Sequence, residues 1–539
     1  MKPDLEFYKD CRDRSLLPND VEVLKDIIVY QWEVIDTLKA EFQEYRQKTD
    51  QIIAQLMKKI ESLDQQVSAL KRNRFGHRSE KQKKSKSSSS SSPEEASQSK
   101  THSKGANQNH PGRQPLPDHL ERIPVEHDLK AEEKVCSECN ALLSRIKNLV
   151  TEQLDIIPAQ VIVKQHVRAR YACRKCYGII KTADMPAQPI DKGRASAELL
   201  AHLIVEKFDY YLPCYRLERW FEREGVPISR STITGWLYKA GFLLKPLIDL
   251  HKKELMNGGH IFSDDTPMPT LAPGTGKTKV GRLWVYTQSS TKTHGGVTVY
   301  QYTPTREGKH PEDFLKGFKG YLQVDAYSGY NGLFAANDEG EVDCKEVGCW
   351  AHARRKFVEI VILHPDSVAQ EVLDLIGALY DMERKAKEEG VTDSGRRGLR
   401  KKKSKPLLKK IYKWLCTHQP EVVPKSPLGQ AIAYALNNWI ALTRFLGDGQ
   451  LEIDNNRAER KIKPIVMGRK NHLFVGGDQG GEALAIFYSV IETCRQNDVN
   501  PVTYLADVLA RIPTHPNKRI EELLPYNWKK LREQQTAAA

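Results

Sequence analysis

The chain has 539 residues, a formal net charge of +14 and a hydrophobic content of 40%. A chain of this length is too long for a single hydrophobic core, so several domains are expected. The positive charge suits a polyanionic partner such as DNA. No apolar run reaches about 18 residues, so no membrane-spanning helix is predicted. The N-terminus lacks the apolar segment of a secretory signal. Ten cysteines in so long a chain do not indicate a disulfide scaffold, and the cytoplasm is the expected compartment.

Residues 20–70 contain neither glycine nor proline and carry a coiled-coil pattern. Apolar residues recur at alternating steps of three and four over 24–45 and again over 53–70. Such a stripe needs a partner, so a homodimer or higher oligomer is predicted, with packing onto the rest of the chain as the alternative. Residues 71–115 are basic and rich in serine, which predicts a flexible linker whose basic part either touches DNA or is simply solvated.

A small zinc-binding module is predicted over residues 116–190. Two Cys-x-x-Cys pairs, Cys136 with Cys139 and Cys173 with Cys176, can together hold one tetrahedral zinc ion. The gap between the pairs is longer than usual for such sites. Four thiolates leave no open position for water, which favours a structural zinc over the alternative of a redox pair.

Three helices are predicted over residues 196–250, the last of them capped by Ser229 after a turn at Gly225. Two helices joined by a turn that contains glycine form the pattern of a helix-turn-helix motif. An ordinary helical hairpin gives the same pattern. On the DNA-binding interpretation, the side chains available to a major groove are Arg230, Ser231, Thr234 and Lys239.

Two short apolar runs end in an aspartate, at Asp264 and at Asp325, as strands do when they deliver a carboxylate to the rim of a sheet. Glu459 follows Asn455 and Asn456, either of which can cap a helix that begins there. Two such aspartates and one helical glutamate can hold two Mg²⁺ or Mn²⁺ ions, which clamp the attacking and leaving oxygens of a phosphodiester. A strand ending in aspartate is nevertheless most often only a turn.

Residues 272–278 look like a nucleotide-binding phosphate loop, but Leu271 stands where that motif requires its first glycine. Residues 280–286 also alternate like a strand where the motif requires a helix. We therefore expect a hairpin turn between the first two strands of a sheet.

Further strands are predicted at 282–288, 296–303 and 345–349, and a helix carrying His352 follows. Residues 358–445 have a helical pattern that is very basic between Arg396 and Lys410. This basic stretch either holds DNA or is a solvated loop.

Several longer motifs occur in order along the chain: Asp-Asp-Thr-Pro at 264–267, Val-Asp-Ala-Tyr-Ser-Gly-Tyr-Asn at 324–331, Cys-Trp-Ala-His-Ala-Arg-Arg-Lys-Phe at 349–357, Asp-Asn-Asn-Arg-Ala-Glu-Arg at 454–460, Gly-Arg-Lys-Asn-His-Leu-Phe at 468–474 and Gly-Gly-Glu at 480–482. Together they resemble the insertion sequence 66 family of bacterial transposases. The resemblance implies a multidomain α/β protein with a ribonuclease-H-like core over 258–495, an all-helical insertion at about 358–445 and a C-terminal helical tail over 496–539. The family also has a zinc-binding module where the cysteine pairs lie.

The same resemblance maps the catalytic triad to Asp264, Asp325 and Glu459, with Asp265 and Glu482 as possible substitutes. It implies a nucleoid-associated enzyme that binds double-stranded DNA, cleaves the 3′ end of a transposon and joins that end to target DNA, with or without accessory proteins encoded by the element.

Arg457 and Arg460 flank Glu459 and are candidates to neutralise phosphate charge. His352 has either a contact near the scissile bond or a structural role. Two alternatives to the transposase remain open, namely a metal-dependent nuclease on the same fold and a non-catalytic DNA-binding regulator.

Overall fold

The computed structural model describes residues 20–75, 122–124, 159–172, 180–291, 293–336 and 340–538. The chain forms two compact units, one made of residues 1–78 with 168–539 and the other of residues 79–167. The four cysteines of the predicted zinc module and most of the predicted linker lie outside the described residues.

In the first unit, the elements before the central sheet are α1 (Val21–Phe75), β1 (Arg170–Ala172), β2 (Ile180–Thr182), α2 (Ala197–Phe208), α3 (Cys214–Arg223) and α4 (Arg230–Met256). The sheet region comprises β3 (His260–Ala272), β4 (Lys277–Thr287), β5 (Thr298–Thr303), α5 (Lys309–Phe314), β6 (Gly320–Gln323) and β7 (Cys344–Val347). The helices that follow are α6 (Trp350–Leu363), α7 (Ala369–Glu388), α8 (Asp393–Leu399), α9 (Lys405–His418), α10 (Pro427–Asn437), α11 (Trp439–Thr443), α12 (Asn456–His472), α13 (Asp478–Gln496), α14 (Pro501–Arg511) and α15 (Pro525–Ala538).

The central sheet has the strand order β5-β4-β3-β6-β7. Strands β3, β4 and β5 are antiparallel neighbours, whereas β6 and β7 run parallel to β3. The predicted hairpin turn is confirmed, because residues 273–276 join β3 to β4. The sheet thus combines an antiparallel meander with two parallel strands, and only the parallel strands need crossover connections.

The longest strand, β3, corrects one expectation. It does not end at Asp264, because its antiparallel pairing with β4 continues from Phe262 to Ala272. Its parallel pairing with β6 stops at Phe262. Asp264 therefore lies just beyond the end of β6, at an edge created by the shorter neighbour and not by the end of its own strand.

Helices α12 and α13 pack against β3, β4 and β5, and α4 contacts β5 and α13. Helix α2 packs against α4, α13 and α14, so the three-helix segment and the C-terminal helices share an interface with the sheet layer. Helices α6, α7, α9 and α10 share a hydrophobic cluster with the end of the sheet, in which Trp350, Phe357, Ile376, Ile411 and Ile432 are buried together.

Helices α3 and α4 follow one another across a short turn and contact each other, an arrangement that a helix-turn-helix and an ordinary helical hairpin share. Gly225 turns the chain with a φ of 73°, a conformation that glycine adopts without steric cost. Ser229 caps α4 as predicted, its hydroxyl accepting the Thr232 N–H at 3.3 Å. Helix α4 is longer than predicted and runs through Pro246 to Met256.

Helix α1 is continuous, in agreement with the helical pattern of residues 20–70. Its start contacts α6 and α10, where Ile27 is buried, while the apolar residues from Ile28 to Leu63 that form the predicted seam are exposed. Pairing with a second chain stays a prediction. Among the described helices, none combines the length and the apolar composition that crossing a membrane requires.

Candidate active site

Asp264 and Asp265 are consecutive residues of a strand, so their side chains point to opposite faces of the sheet. The Asp265 carboxylate is 3% exposed and is held by two arginines. Arg306 donates to both of its oxygens from Nε, at 3.1 and 3.2 Å, and Arg282 lies 3.0 Å away. Tyr327 supports Arg306, whose guanidinium stacks 3.8 Å from the ring centre. Asp265 is therefore an internally neutralised carboxylate, which makes it the weaker candidate for a metal ligand.

Asp264 has the opposite environment. Burial, followed by the charges of Asp325, Asp265 and Glu459, raises its pKa to about 8, and the hydrogen bond from the Asp265 backbone N–H opposes this only in part. Carboxylates that share a site repel one another unless a proton or a cation intervenes. The sequence-predicted acidic residues Asp264, Asp325 and Glu459 are thus close enough to act on one another electrostatically.

Asp325 lies two residues beyond the end of β6, after Val324. The next residue, Ala326, has a φ of 67°, which is uncommon for a residue other than glycine and turns the chain sharply. The Asp325 carboxylate accepts the Tyr327 N–H at 3.1 Å, and the Tyr434 hydroxyl donates to its backbone carbonyl at 3.0 Å. These contacts fix the position of the turn.

Glu459 lies in the first turn of α12 and is half-buried. Its Oε1 is 3.7 Å from His352 Nδ1, and its Oε2 is 3.8 Å from Arg355 Nη2. Both Glu459 Oε1 and His352 Nδ1 are buried without a hydrogen-bond partner among the described residues. The arrangement leaves acceptor capacity that a cation or a water molecule satisfies.

Cys349 lies in the same cluster, its Sγ within 4.8 Å of the ligand atoms of His352 and Glu459. Burial raises the pKa of its thiol to about 12, and Sγ accepts the Asn455 backbone N–H at 3.2 Å. A sulfur ligand is soft, whereas the hard Mg²⁺ and Mn²⁺ ions prefer carboxylate oxygens. The hydrogen bond from Asn455 makes Cys349 a contact between the start of α6 and the start of α12.

Two buried amides join the three acidic segments, and the sequence analysis did not assign them this role. Asn455 Nδ2 donates to the Ser263 carbonyl at 2.8 Å, next to Asp264. Gln323 Nε2, two residues before Asp325, donates to the Glu452 carbonyl at 2.8 Å. Asn455 occupies the predicted cap position, but its side chain makes no capping bond to α12. The signal for Gln323 is its polarity between Leu322 and Val324 in an otherwise apolar strand.

The remaining predicted residues of this region fall into different environments. Glu482 is exposed on α13, and its charge acts on Tyr302, whose hydroxyl donates to Thr270 Oγ1 at 2.9 Å. Thr270 is six residues beyond Asp264, roughly 20 Å along β3 at the usual strand rise. Arg457 is paired with Glu452, with Nε 3.1 Å from Oε1, whereas Arg460 is exposed.

The four residues predicted to face DNA are all exposed on α4. Arg230 is also 2.7 Å from Glu218 of α3, which fixes its position at the start of the helix. Thr234 Oγ1 donates to the Arg230 carbonyl at 2.8 Å, while Lys239 lies about one and a half turns beyond Thr234. Ile233, Leu237 and Ala240 occupy the buried face, so the helix presents a polar surface opposite its packed side.

Comparison with known proteins gives consistent matches along the chain. A family model described as "Transposase IS66 family" matches residues 192–483, and one described as "IS66 C-terminal element" matches residues 489–526. A "zinc-finger binding domain of transposase IS66" matches residues 133–177, which include the four cysteines. Residues 62–125 match a model described as "Transposase C of IS166 homeodomain".

Curated relatives come from Sinorhizobium fredii (strain NBRC 101917 / NGR234). "Uncharacterized protein y4jD" is 36% identical over 422 residues, which cover 77% of this chain and 81% of the relative. "Uncharacterized protein y4hP" is 32% identical over 454 residues, covering 81% and 80% respectively. "Uncharacterized protein y4qI" is 36% identical over 421 residues, or 76% of each chain.

Proposed function

The chain belongs to the IS66 family of transposases, and we propose that it cleaves the phosphodiester at the 3′ end of its element and joins that end to target DNA at one carboxylate site. The observation that carries the proposal is the convergence of Asp264, Asp325 and Glu459, reached from a central strand, a strand end and a helix. The resemblance found in the sequence is confirmed at the level of the family.

We propose further that the sheet is a ribonuclease-H-like core with α6 to α11 inserted before its last acidic helix. Three antiparallel strands followed by two strands parallel to the first support this assignment. The insertion separates Asp325 from Glu459 in sequence, while Gln323 holds the two segments together in space through its bond to the Glu452 carbonyl. Asn455 holds the segment of Glu459 to Ser263, next to Asp264.

Asp264, Asp325 and Glu459 would hold the divalent cations, two Mg²⁺ or Mn²⁺ ions per site. The donor set fits them, because hard cations prefer carboxylate oxygens and the buried Glu459 Oε1 lacks a partner among the described residues. When bound, such ions activate the attacking oxygen and stabilise the leaving oxygen. Arg306 and Arg282 neutralise Asp265, so that one aspartate of the pair stays out of the site.

The DNA partners are assigned to other parts of the chain. The exposed face of α4, with Arg230, Ser231, Thr234 and Lys239, contacts the ends of the element, and Arg460 contacts phosphates near the site. A structural zinc ion on Cys136, Cys139, Cys173 and Cys176 folds the zinc-finger segment. Self-association through α1 brings two ends together, since coordinated joining requires both.

A strand-transfer assay with Mg²⁺ or Mn²⁺, on DNA carrying the ends of the element, tests the proposal. Joined products support a transposase. Nicked donor DNA without joined products indicates a nuclease on the same fold, and the absence of any metal-dependent product indicates a DNA-binding regulator.

Matched variants test the residue assignment. Asp325→Asn and Glu459→Gln should abolish cleavage and leave DNA binding nearly intact, because the side chains keep their shape but lose the charge that the cations need. Glu482→Gln removes an exposed glutamate of α13 and should leave cleavage unchanged. If Glu482→Gln is inactive while Glu459→Gln cleaves normally, the third carboxylate has been assigned wrongly.

A further inference from the structure

The basic run of the insertion divides into two groups with different environments. Ten lysines and arginines occur between Asp393 and Glu421, with no acidic residue among them. Two of the ten point inward, because Arg396 and Arg400 both bind the buried Glu383. Arg400 is only 1% exposed. These two arginines belong to the core of the insertion and are not part of a surface.

The other eight cations are exposed, and none of them forms an ion pair within the described part of the chain. They are Arg397, Lys401, Lys402, Lys403, Lys405, Lys409, Lys410 and Lys413. We call this set the insertion basic face. All eight lie on one helical stretch, because α8 passes through a π-helical turn (Arg400–Ser404) directly into α9.

The packing of this stretch explains why the cations are exposed. Arg400, Ser404 and Leu408, four residues apart, are buried against the insertion. The three consecutive lysines 401–403 lie between the first two of these buried positions and remain exposed. The hydrogen bonds of Arg400 to Glu383 fasten the turn from the inside, so the face is presented on a fixed support.

The spacing of the cations matches an extended polyanion. Five of them, at 397, 401, 405, 409 and 413, recur every four residues. A four-residue step is about 6 Å of helix, so this row is roughly 24 Å long. Duplex DNA carries one phosphate per 3.4 Å on each strand, and the row therefore spans about seven base pairs.

We propose that the insertion basic face binds the phosphate backbone of double-stranded DNA without reading its sequence. Seven of its eight cations are lysines, which act as point charges and lack the planar fork that reads bases. The choice of DNA among polyanions rests on the proposed function. The face is distinct from the polar surface of α4, which lies on a different helix and is assigned to the ends of the element.

The test uses the full chain and a duplex that lacks the ends of the element. The variant carries Lys401→Gln, Lys405→Gln, Lys409→Gln and Lys413→Gln, which remove charge at exposed positions and keep a similar helix propensity. The control removes the same net charge at exposed lysines elsewhere and carries Lys316→Gln, Lys345→Gln, Lys385→Gln and Lys387→Gln. Thermal unfolding verifies that both proteins fold like the unmodified chain.

Duplex binding is measured across a salt series. Every lysine that no longer neutralises a phosphate lowers the slope of log affinity against log salt by about 0.9, so the variant's slope should fall by about 3 to 4 while the control's stays close to that of the unmodified chain. Equal slopes and affinities for variant and control overturn the proposal. A second result also overturns the proposal: variant and control bind duplex DNA equally, while only the variant loses binding to vesicles of phosphatidylserine and phosphatidylcholine. The face would then bind a membrane surface and not DNA.

This outcome is separable from that of the proposed function. A chain that neither cleaves nor joins DNA, yet loses sequence-independent binding in the variant, refutes the transposase mechanism and supports the basic face. A chain that cleaves and joins DNA, with variant and control binding duplex equally, does the reverse.

Discussion

Replacing Arg400 with methionine should destabilise the insertion strongly, because this arginine is the centre of a buried polar network. Its guanidinium donates to both oxygens of Glu383 at 2.8 Å, and to the carbonyls of Phe445, Asp448 and Leu451 at 2.7, 2.6 and 2.8 Å. Burial opposes the charge of Glu383, yet the hydrogen bonds and charges of Arg400 and Arg396 hold its pKa below the usual value. Methionine fills a similar length and supplies no donor.

The expected cost follows from what the substitution leaves behind. Breaking a buried ion pair by removing one partner costs about 3–5 kcal/mol, and each carbonyl left without a donor adds about 1–3 kcal/mol unless water reaches it. Arg396 still binds Glu383, and the loop can shift toward solvent, so we take the lower range of about 3–5 kcal/mol in total. For a cooperative unit of 150–250 residues, about 3 kcal/mol lowers the melting temperature by roughly 6–12 °C.

The assay is thermal unfolding followed by tryptophan fluorescence, since Trp350, Trp414 and Trp439 lie in α6, α9 and α11. The control is Lys401→Met, an exposed neighbour for which a change within about 0.5 kcal/mol is expected. If Arg400→Met and Lys401→Met melt within about 2 °C of each other, Arg400 is not the buried centre described and the reasoning fails.

Four further predictions address the site and the assembly. Asn455→Ala should slow DNA cleavage by about 100-fold, since a displacement near 1 Å has that effect, and leave binding to the ends in a gel-shift assay unchanged. In the metal-free chain, the raised pKa of Asp264 contributes stability that is fully present below about pH 4 and is lost as the pH rises to about 8. In thermal unfolding, the melting temperature of the unmodified chain should therefore fall relative to that of Asp264→Asn between these pH values. Above about pH 8 the difference should stay constant. Elemental analysis of the full chain should find about one zinc ion, absent after Cys136→Ser, and a zinc-free chain with an intact zinc segment would contradict this. Deleting residues 1–70 should lower the oligomeric state in light scattering, whereas a monomeric full chain with and without DNA would show that α1 does not pair.

The strands that carry or precede Asp264 and Asp325 were predictable because their signals are local. Short apolar runs before Asp264 and Asp325 mark the strands, and Asn455 marks the start of α12 within a few residues. The hairpin at 273–276 follows from glycines and from the strand pattern on both sides. Each of these features is determined by neighbours in the sequence.

The features that could not be predicted depend on partners far along the chain. The extension of β3 beyond Asp264 comes from eight residues that pair with β4, and the residues before Ala272 do not indicate that pairing. The choice between Asp264 and Asp265 depends on Arg306, which is 41 residues away. Strand alternation places the two carboxylates on opposite faces, but it does not say which face carries the arginines.

The basic run shows the same limit for charge. Composition treats Arg400 and Lys401 alike, yet helical packing buries the first and exposes the second. Arg400 binds the loop carbonyls of residues 445–451, and that loop leads directly to Asn455 and the helix of Glu459. The support of the basic face and the start of the acidic helix are thus joined through one buried side chain. Arg400→Met is therefore expected to slow cleavage even at temperatures where the chain stays folded.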